Sequence, residues 1–486
     1  MTEESAGRGF GGRIANDAFV YGLGGIANQA IAILLVPIYA RVLGTEGVGV
    51  TGVLNSVISL SLMLVGLALP QAFFRWYLRE ASDHDERVHV LRTTLAMRIA
   101  ASLAGFAVVL LAVLPLTALL YEGANLGVFA LAAPIVLFDS FNGLPLAFLR
   151  AERSPRNYVA ITMTRAVTGT VLILLLVVAL EFGVIGVSLG AAIAAALSAA
   201  IGAWVLWRAG MWRPIIDEDL SRAMLTFALP LVPAAVAGWT LNLADRPLLQ
   251  AFTGSEAVVG VYTTGYTAGL VINALAVQPF TLSWGATYWE ISRSDDAPRT
   301  FARTLTWFLA IASAAALFLS AIGTDVIRLL FPPAFEESRF IVPFSAFSFV
   351  LYGAYTIVAT GLHIVGRSAL VATTMLIAAG VALALNLVLI PLLGMYGAAI
   401  STVLGYALLT ILAGWQSQRH YPVPWQVLRA IVILGLAAAL SALALLGPDN
   451  PLWRVGAILL YPPILIGTGI VRPTQARQLL RVLRRR

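Results

Sequence analysis

The chain has 486 residues, of which 59% are hydrophobic and only 11% are charged, whereas an ordinary soluble domain has roughly 25% charged residues. A water-soluble fold of this size could not bury so much apolar surface. A transmembrane β-barrel is also excluded, because its strands would read as segments of about ten residues with alternating polarity, and the apolar runs here are continuous. The composition therefore predicts an all-α polytopic membrane protein.

The formal net charge is +7, and all 31 basic residues are Arg. These Arg residues are scattered among short connections between apolar runs, unlike the clustered basic face of a nucleic-acid-binding protein. Cys is absent, and the four His residues show no metal-ligand spacing. The sequence therefore predicts no nucleic-acid partner, no thiol chemistry and no metal site.

About 14 transmembrane helices are predicted from apolar runs of the roughly 20 residues that a bilayer-spanning helix needs. A polar segment at 1–17 precedes them. In chain order the predicted helices are 18–41, 50–74, 95–121, 126–149, 158–180, 184–206, 223–246, 257–284, 302–323, 340–362, 368–391, 395–415, 427–446 and 453–470. Most Arg residues, including the group from Arg75 to Arg98, fall in connections on one side. The positive-inside rule then predicts that both termini are cytoplasmic.

The two halves of the chain resemble each other at a constant offset of 211 residues. A further stretch, 44–49, resembles 254–260 with one inserted residue. The matches at the constant offset include Gly183, Gly186 and Trp204, which recur as Gly394, Gly397 and Trp415. Matches of Trp in one register are rare by chance, so the sequence indicates an internal duplication.

The duplication predicts an N-lobe at 18–208 and a C-lobe at 223–416, each of six helices. A cytoplasmic linker at 209–222 joins the lobes, and two further helices follow at 427–470. Because six is an even number, both lobes cross the membrane in the same sense. This arrangement predicts two parallel six-helix repeats around a central cleft, with the substrate bound at the repeat interface.

Several segments resemble the polysaccharide transporter (oligosaccharide flippase) family of the multidrug/oligosaccharidyl-lipid/polysaccharide exporter superfamily. The similarity covers most of the chain, although the individual patterns are loose. The segments that carry it are Val36–Gly44, Glu46–Gly49, the Leu149–Arg153 exit from the fourth helix, and Asp245 ahead of Gly260–Tyr262. The resemblance implies a bacterial inner-membrane flippase that translocates an isoprenoid-pyrophosphate-linked oligosaccharide by alternating access, for surface polysaccharide biosynthesis.

The resemblance also implies membrane lipids and the polysaccharide assembly machinery as partners. A lipid-II-type flippase, which fits 14 helices, and a multidrug antiporter of the same superfamily are alternatives. A membrane glycosyltransferase or polymerase is an alternative of another class, but it would need clustered catalytic acids or bases that the short connections do not provide. We therefore expect no enzymatic activity and no cofactor, apart from a coupling ion, H+ or Na+, which the sequence leaves open.

Two charges, Asp139 and Arg165, lie deep inside predicted helices, where each costs about 2.5–3.5 kcal/mol on insertion scales and is a functional candidate by default. Arg165 lies roughly 10 Å from the inner end of the fifth helix and Asp139 roughly 15 Å from the inner end of the fourth. Neighbouring antiparallel helices would bring the two within reach of an ion pair. The alternatives are a structural pair, with Arg165 extended to the interface, and a site in the cleft.

Three further Arg residues are candidates for phosphate contacts, because guanidinium binds phosphate in a bidentate manner. Arg41 and Arg246 each end the first helix of their lobe, on the side where positive charge is rare, and predict an anion site at the outer mouth. Arg75, at the inner end of the second helix, predicts a matching inner contact. The alternatives are interfacial anchors, with Arg246 paired to Asp245 and Arg75 held in an aromatic belt.

Amide and tyrosine side chains recur inside the predicted helices, and they could contact sugar hydroxyls. Interhelical hydrogen bonds explain the amides equally well, and belt positions at the membrane interface explain the tyrosines. The candidates are Asn28, Asn55, Gln71, Asn142, Asn242, Asn273, Gln278, Tyr262 and Tyr266, of which Asn28, Asn242 and the two tyrosines are taken as predicted substrate-binding residues.

Two positions favour bending of the first helix of each lobe. Pro230 and Pro233 interrupt the seventh helix, and the position equivalent to Pro233 in the first repeat is Gly22. An α-helix bends easily at such residues, so both helices are predicted to bend there and to gate the cleft. After the last helix, the basic tail at 472–486 predicts an amphipathic helix on the anionic inner leaflet.

Overall fold

The computed structural model describes the backbone of residues 3–469, and the side chains of residues 35–469 except residue 286. Gly22, Asn28 and the predicted segment 1–17 lie outside the residues whose side chains are described, and the basic tail at 472–486 lies outside the described residues altogether. Within the described range the chain is helical with short turns and has no strand. The predicted all-α fold is confirmed.

The first half of the chain forms helices joined by short connections. They are α1 (Glu3–Gly66), α2 (Leu69–Arg75), α3 (His84–Val108), α4 (Leu114–Leu120), α5 (Leu126–Ala130), α6 (Ala132–Ala151), α7 (Pro155–Ile173), α8 (Gly183–Arg208), α9 (Glu218–Ala228), α10 (Val232–Leu243), α11 (Asp245–Thr253) and α12 (Glu256–Ile272). Single π-helical segments continue α2, α3, α7 and α12, at Trp76–Glu80, Val109–Val113, Leu174–Ala179 and Asn273–Val277.

The second half continues in the same way. Its helices are α13 (Gln278–Ile291), α14 (Ala297–Leu330), α15 (Val342–Val358), α16 (Thr360–Ile364), α17 (Ser368–Leu393), α18 (Met395–His420), α19 (Val427–Leu446) and α20 (Pro451–Gly467). From residue 35 onward, 12 helical segments are long and apolar enough to cross a membrane, and α20 is a shorter apolar helix. These correspond to the second to fourteenth predicted helices, so the chain is a multi-pass membrane protein.

The boundary between the first two predicted helices lies at Gly44, inside α1. Gly44 has φ 67° and ψ −173°, which interrupts the helical backbone. Glycine reaches positive φ without steric cost because it has no Cβ. The helical backbone is therefore interrupted at a single residue, without an extended loop.

The third predicted helix was wrong at its start, because α3 begins at His84 and not near residue 95. The Asp83 side chain accepts a hydrogen bond from the Glu86 backbone N–H at 2.8 Å, and the Glu86 carboxylate accepts one from the Ser82 N–H at 2.7 Å. This reciprocal capping stabilises the first helical turn despite its charge. The helix consequently includes charged residues that the hydropathy pattern assigned to a connection.

The second half of α1 crosses α12 with direct backbone contact. A Cβ built on Gly49 would overlap the Glu256 carbonyl oxygen, and a Cβ built on Gly260 would overlap the Thr45 carbonyl oxygen. Gly49 and Gly260 are separated by 211 residues, and so are Thr45 and Glu256. The contact is therefore reciprocal, as a twofold axis between matched elements requires.

A second matched pair contacts one turn further along the same helices. A Cβ on Gly52 would lie 2.6 Å from the Thr263 side-chain oxygen, and these positions again differ by 211 residues. Matched residues in contact on successive turns require the two helices to run in the same direction at this crossing. This local geometry is what parallel repeats produce, and it agrees with the predicted duplication.

Contacts between Cα atoms divide the chain into two compact units. One extends to Thr263 and includes Ala379–Ala398, and the other comprises Thr264–Ala378 and the chain from Ala399. The predicted candidates from Arg41 to Tyr262 belong to the first unit, and Tyr266 belongs to the second. The lobe boundaries at 18–208 and 223–416 stay a prediction.

In the second unit, α20 is fastened to α14 by a charged network. Arg454 of α20, whose side chain is only 7% exposed, donates to Asp325 of α14 at 2.5 Å and also bonds Asp449 in the connection from α19. Arg328 of α14 donates to Asp449 at 2.6 Å and to Glu336 at 2.9 Å. The helix α20 is therefore attached to α14 by buried and exposed ion pairs as well as by apolar packing.

Candidate substrate-binding site

Asp139 on α6 and Arg165 on α7 form the ion pair that the sequence indicated. The Arg165 Nε donates to Asp139 Oδ1 at 2.9 Å and its Nη2 donates to Oδ2 at 3.0 Å. The Arg165 side chain is 28% exposed and the Asp139 side chain is 22% exposed. This parallel, bidentate geometry is the strongest form of a carboxylate–guanidinium contact. The pair joins the neighbouring helices α6 and α7 and is not fully buried.

The third nitrogen of Arg165 is available for a further anion. Gly169, one turn along α7, has no side chain beside this nitrogen, since an added Cβ at Gly169 would lie 3.4 Å from the Arg165 Nη1. Nη1 has no hydrogen-bond partner within the described part of the chain. Because a guanidinium has five N–H donors in a fixed plane, Arg165 can keep its bidentate contact with Asp139 and still donate to a phosphate oxygen.

Arg98 on α3 is a buried charge that the sequence analysis missed. It was assigned to the cytoplasmic group from Arg75 to Arg98, whereas the structure leaves only 5% of the residue exposed. Its Nε donates to the Ser140 carbonyl at 2.5 Å and its Nη1 to the Gly66 carbonyl at 3.1 Å. Gly143 on α6 leaves space for the guanidinium, since a Cβ there would overlap Nη2.

The contact with Gly66 explains why an Arg is needed at this depth. Gly66 ends α1, and Leu67 and Ala68 have φ of 48° and 49° before α2 begins. The residue four positions after Gly66 is Pro70, which has no N–H and cannot close the helical hydrogen bond. Arg98 supplies the missing donor. A signal was present in the sequence: a Pro inside a predicted helix and an Arg beyond the first turn of the next helix.

A second buried cluster lies where α10 passes into α11. Arg246 donates from Nη1 to Asp245 Oδ1 at 2.8 Å and to the Asn242 carbonyl at 2.8 Å. The Tyr262 hydroxyl donates to the other Asp245 oxygen, and the guanidinium stands 5.8 Å from the Tyr262 ring centroid. Asp245, Arg246 and Tyr262 are 2%, 4% and 0% exposed. The structure thus forms the Asp245–Arg246 pair that was the alternative to an anion site at an outer mouth.

Arg75 lies against aromatic rings at the end of α2. Its guanidinium carbon is 4.9 Å from the Trp76 ring centroid and 5.0 Å from that of Phe227, and its Nε is 3.3 Å from the Glu80 carboxylate. This is the geometry expected of the aromatic-belt alternative. Arg41 is exposed and ends the first predicted helix. The inner and outer phosphate contacts stay predictions for both residues.

Of the remaining polar candidates, Asn55, Gln71 and Gln278 are exposed, whereas Asn142, Asn242, Asn273 and Tyr266 are buried or half-buried. Tyr266 is 2% exposed and makes an edge contact with Phe349 at 5.7 Å between ring centroids. Asn242 is half-buried. Asn142 is buried and donates to the Ser198 hydroxyl on α8 at 3.1 Å. Asn142 thus makes the kind of interhelical hydrogen bond proposed as the alternative to sugar binding.

The seventh predicted helix is interrupted at its prolines. α9 ends at Ala228, a 3-10 segment covers Leu229–Leu231, and α10 begins at Val232. Pro230 and Pro233 fall in this change of helix type, as expected for residues that remove backbone donors. Gating by a bend at this position and at Gly22 stays a prediction.

The comparisons with known proteins agree with this architecture. The model of the polysaccharide biosynthesis protein family matches residues 14–284, which is more than half of the chain. An uncharacterized membrane protein of Methanocaldococcus jannaschii is 23% identical over 203 residues, and the match covers 41% of this chain and 40% of that protein. The chain therefore aligns with less than half the length of this relative.

Solved structures share the fold at low sequence identity. The lipid II flippase MurJ in an inward closed conformation aligns with a TM-score of 0.70 at 13% identity, over 93% of this chain and 100% of that chain. An inward-facing multidrug resistance MATE family transporter of the MOP superfamily aligns with a TM-score of 0.63 at 16% identity, over 80% and 94%. The chain belongs to the polysaccharide biosynthesis protein family and has the fold of these membrane proteins.

Proposed function

We propose that the protein is a flippase that moves an isoprenoid-pyrophosphate-linked oligosaccharide across the bacterial inner membrane for surface polysaccharide biosynthesis. Membership of the polysaccharide biosynthesis protein family supports the biosynthetic role. The fold shared with a lipid II flippase and a multidrug transporter supports translocation over enzymatic conversion. Cytoplasmic termini and a docking partner in the polysaccharide assembly machinery are part of the proposal.

The observation that carries the proposal is the Asp139–Arg165 pair. The head group of such a lipid is anionic at the pyrophosphate and rich in hydroxyls, so it cannot enter hydrocarbon without polar partners. Arg165 is partly exposed and keeps Nη1 available, which suits a phosphate oxygen. Asp139 holds the guanidinium in place and offsets the cost of an uncompensated charge within the apolar region when no substrate is bound.

Translocation by alternating access requires two bundles that move against each other. The reciprocal contact of Gly49 with Glu256 and of Gly260 with Thr45 brings two helix backbones together without intervening side chains. Such a crossing can turn with little repacking, and we propose that it is the pivot. The change of helix type at Pro230 and Pro233 supports a second flexible point in the same cycle.

The proposal is tested by reconstituting the full-length protein in vesicles with a fluorescent isoprenoid-pyrophosphate oligosaccharide and measuring its accessibility from each side. Arg165→Gln is expected to lower the flipping rate at least tenfold, which corresponds to about 1.4 kcal/mol or more of lost binding in the rate-limiting state. Arg208→Gln, which removes an exposed Arg at the end of α8, is the matched control and should retain the wild-type rate.

A charge swap separates substrate binding from a structural role of the pair. Asp139→Arg combined with Arg165→Asp keeps the ion pair but moves the guanidinium to α6. Recovery of folding without recovery of flipping is expected, whereas full recovery of both would contradict the proposed phosphate contact. Deleting the gene and identifying the lipid-linked glycan that accumulates on the cytoplasmic side would establish the sugar.

The same vesicles distinguish the alternatives within the superfamily. A lipid-II-type flippase would move lipid II in preference to other isoprenoid-linked glycans, and a multidrug antiporter would export cationic dyes without lipid substrate. We propose that an ion gradient, of H+ or Na+, drives the cycle. Flipping that is unchanged when both gradients are collapsed at zero membrane potential would contradict ion coupling.

A further inference from the structure

A long apolar groove lies in the second unit, between α14 and the π-helical segment that follows α12. Its volume is about 900 Å³, near the upper end of the roughly 300–1,000 Å³ found for ligand pockets. Its walls are formed mainly by large apolar side chains, among them Leu275, Phe280, Trp307, Ile311 and Phe318.

The groove is open on its outer side. Leu275, Ile311 and Phe318 are 72%, 53% and 51% exposed, so the walls face the surroundings of the helices and not a closed core. Contiguous exposed apolar surface in a multi-pass protein marks a place where lipid or another apolar partner contacts it. The groove is therefore accessible to a hydrocarbon chain that enters sideways from the bilayer.

Only one end of the groove is polar. Thr300, Arg303 and Thr304 lie within one turn near the start of α14, and the remaining lining is apolar as far as Ile322. The rise of an α-helix places Ile322 about 28 Å from Arg303, close to the roughly 30 Å thickness of the hydrocarbon core. A ligand that fits this pattern is an amphiphile with its head group at Arg303 and its chains along α14.

The polar end presents both signs of charge. Arg303 donates from Nη2 to Asp296 at 2.6 Å and to the Thr300 hydroxyl at 3.4 Å. Its Nε and Nη1 have no hydrogen-bond partner among residues 35–469, and the Arg303 and Asp296 side chains are 57% and 49% exposed. Donors for a phosphate oxygen and an acceptor for a cation are thus available side by side.

We propose that this groove binds a zwitterionic phospholipid whose head group carries a phosphate and a primary ammonium. The phosphate accepts hydrogen bonds from Arg303, the ammonium donates to Asp296, and the acyl chains lie along α14. A head group with only negative charge would bring that charge against Asp296, and a trimethylated ammonium has no N–H to donate to it. This site is separate from the Asp139–Arg165 pair and does not depend on the proposed transport activity.

Lipid binding to the purified full-length protein tests the site. Phosphatidylethanolamine, phosphatidylcholine and phosphatidylglycerol with identical acyl chains are added to the detergent-solubilised, delipidated protein, and bound lipid is counted by native mass spectrometry. We expect phosphatidylethanolamine to bind about tenfold more tightly than the other two, as one added charge-assisted hydrogen bond would give. Equal binding of all three lipids would overturn the proposal.

Single substitutions assign the effect to the groove. Arg303→Gln should weaken phosphatidylethanolamine binding about tenfold, and Asp296→Asn should abolish the preference over phosphatidylcholine. Arg293→Gln is the matched control, because Arg293 precedes α14, is exposed and does not line the groove. An equal loss in Arg293→Gln, or retention of the preference in Ala312→Phe, which fills the groove, would overturn the assignment. Binding of a polyisoprenyl phosphate in preference to every phospholipid would overturn it as well.

Discussion

Replacing Gly49 by Ala adds one methyl group at the close backbone crossing of α1 and α12. The new Cβ would overlap the Glu256 carbonyl oxygen, lie 2.8 Å from the carbonyl carbon and lie 3.1 Å from the Gly260 backbone nitrogen. Ordinary contacts of a Cβ are 3.4–4 Å. None of the obstructing atoms belongs to a flexible side chain, so the helices themselves must separate, by roughly 1 Å on packing grounds.

The expected cost follows from overpacking, which typically destabilises by about 1–3 kcal/mol. Gly260→Ala should cost a similar amount, because its Cβ meets the Thr45 carbonyl in the reciprocal way. Both methyl groups push on the same crossing, so a single separation accommodates both. The double variant should therefore cost about as much as one single variant, and the two substitutions should show a coupling of roughly 1–3 kcal/mol.

Reversible unfolding in mixed micelles measures these differences, and the flipping assay measures their functional effect. Gly380→Ala is the matched control, since it lies in the middle of α17 in the same unit and has nothing within 4 Å of an added Cβ. It should be neutral or slightly stabilising, as Ala is the better helix former. Equal stability of Gly49→Ala and Gly380→Ala, or strictly additive costs in the double variant, would refute the reasoning.

Two further expectations follow from the charged groups. Arg98→Leu should lose hydrogen bonds worth about 1.5–3 kcal/mol each in the same unfolding measurement. Adding Pro70→Ala restores a backbone donor and should recover part of this loss. A double variant that is as unstable as Arg98→Leu alone would contradict this explanation. Hydrogen bonds from Arg328 hold the pKa of Glu336 and of Asp449 below their usual values. The stability that these two carboxylates contribute is therefore present above their pKa values in the unfolded chain and is lost as pH falls through their lowered pKa values in the folded protein. Thermal stability should fall on acidification below about pH 4, and it should fall less in Arg328→Gln. Identical pH profiles of the variant and the wild type would contradict this prediction.

The helices could be predicted because each apolar run is long enough to cross a bilayer and is separated from the next by polar residues or glycine. Their boundaries were less accurate where local hydrogen bonds outweigh hydropathy. The capping of α3 by Asp83 adds charged turns before the apolar run, and hydropathy alone assigns such turns to a connection.

The candidate site also contains some residues that the sequence predicted and others that it did not. Asp139 and Arg165 could be paired from sequence because consecutive antiparallel helices place residues at related depths side by side. Arg98 was missed because its partners are backbone carbonyls, and the only sequence signal for them is Pro70, which leaves the Gly66 carbonyl without a helical donor. The reciprocal crossing of Gly49 and Gly260 was also beyond the sequence: the repeat indicated equivalent positions, but not that the equivalent positions contact each other.

The attachment of α20 has a consequence for the order in which the protein is made. With 17 residues, α20 is about 25 Å long, which is shorter than the hydrocarbon core of about 30 Å, and it carries Arg454 into the bundle. Such a segment partitions poorly into lipid by itself. It emerges from the ribosome after Asp325 and the connection from α19, which are then already in place to receive it, so α20 is inserted by docking onto helices that have formed before it.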